Sequence, residues 1–181
     1  MEKPEEGMLN AGIIFMFSVW LQGQMSDLVI LKKNPHLIAD FVANPKIVPH
    51  AFSEIRVKYW AKQFFTVKEE FKREFTNQLT SDEIQSIEKI YILRNMIAHA
   101  HVSIGRNYML YRPQGGHQKE ATLIKVLKPR KVDDKADPPT FKLEFWKSDI
   151  FQSISNLIVH FDQVCLERLS KSLGVPHGRI R

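Results

Sequence analysis

The chain is nearly devoid of cysteine, with Cys165 the single one in 181 residues. That excludes an internal disulfide and any cysteine-based zinc site, and it suits a reducing, cytoplasmic setting. No glycine-rich phosphate loop, internal repeat or low-complexity tract occurs, and no Ser/His/Asp order points to a hydrolase triad. Hydrophobic runs are short. Ala11 to Leu21 is apolar but brief for a bilayer span, and the acids Glu2, Glu5 and Glu6 before it have the wrong sign for a secretory leader. It reads as a core helix, with no membrane contact expected.

Acid is also in deficit. Lys and Arg number 26 against 20 Asp and Glu, a formal charge of +6 that suits a polyanion such as RNA and suits plain solvation equally. Apolar residues at 44% and charged residues at 25% mark an ordinary globular chain, long enough for one domain with a real core.

Periodicity then assigns the elements. Leu9 to Lys33 is expected as a long helix with Leu9, Ile13, Met16, Phe17, Trp20, Leu21, Leu28 and Leu31 buried. Asn34-Pro35 stops it, and a short helix follows over His36 to Ala43. Phe52 to Asn77 reads as one helix, and the aromatic run Tyr59, Trp60, Phe64 and Phe65 as core rather than a base-stacking platform. Thr80-Ser81-Asp82-Glu83 is a capping box opening a third helix that ends near Val102. Asn107–Arg112, Ala121–Leu127 and Thr140–Trp146 read as short strands, and Ser148 to about Leu173 as the last helix, closed by Gly174. The expected fold is mainly α, a helical bundle with a small antiparallel β-insertion at about 107–146, before the last helix.

The chemistry concentrates in Leu93-Arg94-Asn95-Met96-Ile97-Ala98-His99-Ala100-His101. An arginine, an asparagine and two histidines crowd one apolar helical stretch, where unpartnered polar groups cost several kcal/mol. Arginine supplies a fixed cation whose fork matches phosphate oxygens, and histidine supplies a group that titrates near neutrality. On a straight helix Arg94 and His99 lie about 140° apart, while Arg94 and His101 differ by about 20°. Asn95 and His99 are one turn apart, and Glu88 shares their side of the helix. Ile90, Leu93 and Ile97 face the other way, into the bundle. Arg94 and His99 converge only if the helix ends or bends between them, or if a second subunit completes the site.

Arg94-Asn95-Met96-Ile97-Ala98-His99 resembles the Arg-x4-6-His motif of the HEPN superfamily, small all-α domains of prokaryotic toxins and abortive-infection proteins. A polar residue after the arginine, here Asn95, is common in that motif. Long helices, the motif at a helix end and a final helix after an insertion are similar too. The resemblance covers Leu9 to Val102 and Ser148 to Leu173, and leaves the β-insertion outside it. It implies a metal-independent endoribonuclease in toxin–antitoxin or antiviral defence, a homodimer with the motif helices meeting at a cleft. His99 would act as general base or acid, Arg94 would neutralise the phosphorane, and Asn95 would position the phosphate. No cofactor or metal is implied. An antitoxin or nucleotidyltransferase-type partner is, but His101 stands where one subgroup has the tyrosine that such a partner modifies, so that modification does not carry over.

Alternatives stay open. A non-catalytic HEPN domain for RNA binding or dimerisation would share the motif's context, and Arg94 and His99 could simply favour the negative end of the helix dipole. His101 and Glu88 are candidate accessory residues. Lys125, Lys128, Arg130 and Lys131 are candidate phosphate contacts. His36, His50, His117 and His160 show no metal spacing and read as surface or core histidines.

Overall fold

A computed structural model describes residues 3–43, 47–102, 105–113, 121, 127–133, 135–175 and 177. It is mainly helical with a small four-stranded antiparallel sheet. The chain resolves into two compact units, the first built from Met1–Ser18 and Glu88–Ile158, the second from Val19–Ile87 and Val159–Arg181. Helices α1 (Lys3–Lys33) and α5 (Ser81–His99) contribute residues to both.

The second unit holds α2 (His36–Ala43), α3 (His50–Trp60) and α4 (Phe64–Glu74). Its core gathers Leu21, Leu28, Leu31, Phe41, Phe52, Phe71 and Phe75 with Phe161 and Leu166. The single helix expected over Phe52–Asn77 is two helices. No proline or glycine marks the break; instead the Lys62 carbonyl accepts a hydrogen bond from Gln22 Nε2 on α1 at 3.1 Å. Lys62 Nζ meets Glu70 at 2.7 Å and lies 3.7 Å from the Tyr59 ring centre. These contacts hold Lys62 in a turn that its helix propensity would not choose. Tyr59 and Phe64 are buried as expected, but Trp60 and Phe65 are exposed.

The start of α5 carries the capping box: Thr80 Oγ1 accepts from the Glu83 amide at 3.2 Å, and Glu83 accepts from the Thr80 amide at 2.8 Å. Arg168 adds a second anchor to Glu83 at 2.8 Å. The last helix forms as α6 (Ser148–His160), a π-helical stretch Phe161–Leu166 and α7 (Glu167–Ser172). Gly174, at φ +77°, closes α7 in a Schellman turn: its amide donates to Lys171 O, and the Val175 amide to Ser170 O.

The first unit contains the sheet, in the order β1 (His101–Val102), β2 (Met109–Tyr111), β4 (Thr140–Leu143), β3 (Arg130–Asp133). Burial alternates along β2 and β4. Met109, Tyr111, Phe141 and Leu143 face the core with Ile14, Ile90, Leu93, Met96 and Ile154. Two of the expected strands are present. For Ala121–Leu127 only the end residues Ala121 and Leu127 are described, and both have helical backbone. The edge strands β1 and β3 are additions to the expected set; each is short and exposed, lacking the apolar alternation that marks a strand.

The N-terminal half of α1 is turned differently from the expected stripe. Leu21 is buried as expected, but before it Ala11, Ile14 and Ser18 are the buried positions, whereas Leu9, Met16 and Phe17 are 50%, 64% and 44% exposed. By length and composition Pro4–Lys33 also passes as a membrane span, but 56% of its most apolar window is buried against protein.

Candidate functional site

The motif lies on the last two turns of α5, entirely within the first unit. Ile90, Leu93 and Met96 anchor that stretch in the core. Ile97, expected to be buried, is half-buried and lines an open pocket, because Met96 takes the inward position. α5 stays helical through His99, so no break brings Arg94 and His99 together within one chain.

Arg94 and Asn95 do meet. Arg94 Nη1 donates to Asn95 Oδ1 at 3.1 Å, and the guanidinium carbon lies 5.5 Å from the Phe15 ring centre. Arg94 Nε is buried with no hydrogen-bond partner among the described residues. A guanidinium lying over an aromatic ring and held by an amide is restrained in its orientation. His99 is the last residue of α5 and exposed; no hydrogen bond joins it to Arg94 or Asn95. His101 is exposed on β1. Glu88 is half-buried and sits about 16 Å along the helix axis from His99, beyond contact.

Beside the motif is an apolar pocket of about 330 Å³, lined by Met8, Gly12 and Phe15 of α1 and by Ile97, Ala98 and Val102. An added Cβ at Gly12 would meet nothing within 4 Å, so this glycine leaves the wall open. Sequence reasoning missed the pocket. The signal that could have found it is the helical spacing of Met8, Gly12 and Phe15, which puts the three on one face.

Of the candidate phosphate contacts, Arg130 and Lys131 are exposed on β3. Lys128 is exposed at φ +43°, a left-handed conformation uncommon for a residue with a Cβ. Lys125 lies outside the described residues. Among the described residues, no three His, Cys, Asp or Glu side chains cluster to hold a metal ion. Comparison with family models, with curated proteins and with solved structures returned no match. The HEPN resemblance therefore rests on the motif and its helical setting.

Proposed function

We propose that the chain is a metal-independent endoribonuclease of HEPN type, acting from the cytoplasm in a toxin or defence role, with an antitoxin-like protein as its restraint. The observation that supports this most is Arg94, oriented by Asn95 and Phe15, on the same helix end as an exposed His99. In this reading His99 takes the proton of a ribose 2′-OH. The 2′-oxygen attacks the adjacent phosphorus, the bond to the 5′-oxygen breaks, and that oxygen receives a proton. Arg94 balances the charge that builds on the phosphorane. Because Arg94 and His99 diverge on one helix, the reading takes the working unit as a homodimer, with His99 of one copy facing Arg94 of the other. The exposed Leu9, Met16 and Phe17 supply apolar surface for that contact.

A second reading, a non-catalytic RNA-binding or dimerisation domain, is favoured by one observation: neither Arg94 nor Asn95 holds the His99 imidazole, which lies exposed at the helix end. The test is direct. Purified protein is incubated with single-stranded RNA in EDTA, alongside His99→Ala and Arg94→Ala. Cleavage by the wild type alone supports the enzyme. Intact RNA with unimpaired binding supports the second reading.

A further inference from the structure

The sheet presents a second surface that the motif does not explain. Residues directly opposite in antiparallel strands share a face, and the register aligns His101 with Leu110, Leu110 with Lys142, and Lys142 with Arg130. These four form one outward row across all four strands, about 14 Å long at the usual strand spacing. The residues two places along extend it: Arg112 follows Leu110, and Tyr108 precedes it. Lys142 Nζ lies 4.4 Å from the Tyr108 ring centre, and Arg106 donates to the Tyr108 hydroxyl at 2.6 Å. Two acids share the face. Glu144 is held by Lys142 at 3.2 Å and Lys147 at 2.8 Å, and Asp133 accepts from the Lys135 amide. Cations therefore outnumber acids, and two of them, Lys142 and Arg106, lie against the Tyr108 ring.

We infer that this outer sheet face is a track for single-stranded RNA, running from Arg130 past Lys142 and Tyr108 to His101 and so to His99 at the end of α5. The direction of the track rests on the ribonuclease reading; the affinity of the face for RNA does not. Charge complementarity favours a polyanion, and the spacing of cations along a line suits a flexible backbone.

The test uses the full chain carrying Arg106→Gln, Arg130→Gln and Lys142→Gln together. Glu144 keeps Lys147, so no acid is stranded. Binding of a fluorescein-labelled single-stranded RNA is measured across salt concentrations in the His99→Ala background, where the probe stays intact. The expected result is affinity lower by roughly tenfold or more and a log–log salt slope shallower by about 2, near 0.7 for each phosphate no longer neutralised. The charge-preserving set Arg106→Lys, Arg130→Lys and Lys142→Arg should restore most of the affinity, and thermal melts should match throughout. Unchanged RNA affinity in the glutamine variant overturns the inference. So does aggregation of that variant with unchanged affinity in its soluble fraction, which would assign the cations to guarding the β3 edge. Binding of anionic vesicles in place of RNA overturns it as well. If wild-type protein cuts no RNA but the glutamine variant loses RNA affinity, the track stands and the ribonuclease reading falls. If wild-type and variant chains cut and bind alike, the reverse holds.

Discussion

Asn95 accepts a hydrogen bond from its sequence neighbour Arg94, 3.1 Å from Nη1 to Oδ1. Consecutive residues on a helix point about 100° apart, so the bond draws the guanidinium around the helix and over Phe15. In the ribonuclease reading Asn95 therefore acts through Arg94. Replacing Asn95 with Ala should lower kcat by roughly tenfold while leaving RNA affinity within about twofold. Adding Asn95→Ala to Arg94→Ala should cost little more, because both changes remove one function. Additive losses in a single-turnover assay would give Asn95 its own contact with RNA.

In the ribonuclease reading, the bond-making step dictates the products. Attack by a neighbouring 2′-oxygen leaves a 2′,3′-cyclic phosphate on one fragment and a 5′-hydroxyl on the other. An oligonucleotide with 2′-deoxy at the cleaved nucleotide should bind with ordinary affinity and remain whole. Mass spectrometry of the fragments checks both points. A 3′-hydroxyl end, or cutting of the deoxy substrate, removes His99 from the role of base toward the 2′-OH.

Features set by a few adjacent residues were legible in the sequence. The Asn34-Pro35 stop, the Thr80–Glu83 box and the Gly174 closure all stand where local chemistry places them. The interruption at Lys62 was not legible, since a glutamine from a distant helix creates it. Nor was the rotation of α1: with large apolar residues on several sides, period alone cannot tell Leu9, Met16 and Phe17 from Ala11, Ile14 and Ser18. The Phe15 support beneath Arg94 was hidden likewise, because it depends on two helices meeting.

That rotation has a consequence for assembly. Leu9, Met16 and Phe17 lie on exposed turns of α1 in the same unit as the motif. A homodimer closed through this face should appear by light scattering at tens of micromolar. Met16→Lys with Phe17→Lys should give a folded monomer whose melting temperature, unlike that of a dimeric wild type, does not depend on protein concentration. If the chain cuts RNA as proposed, that activity should fall with the dimer fraction. A wild-type monomer at those concentrations, or a lysine variant that stays dimeric, rules out this face.

In the second unit, Asp27 is fully buried, and its Oδ2 receives Arg56 Nη2 at 2.8 Å while Oδ1 has no partner among the described residues. Burial pushes the carboxyl up and outweighs the lowering by Arg56, leaving it at about 7 against an ordinary 3.8. The folded chain then holds this proton more tightly than the unfolded one. Stability that is complete below about pH 4 should decline as pH rises towards 7 and level off above it. Between pH 5 and pH 8 the fall attributable to Asp27 should be on the order of 2 kcal/mol. Urea melts of wild type and Asp27→Asn at both pH values isolate it, because the histidines titrate alike in the two chains. Asp27→Asn should flatten the decline. If the difference between the two chains instead stays constant from pH 5 to pH 8, the carboxylate is already ionised in the fold and Arg56 outweighs burial. A buried pair of this kind is a poor source of stability but a strict one for register. Asp27→Asn should therefore keep the helix content, while Arg56→Met should raise the pH dependence by leaving the acid without its cation.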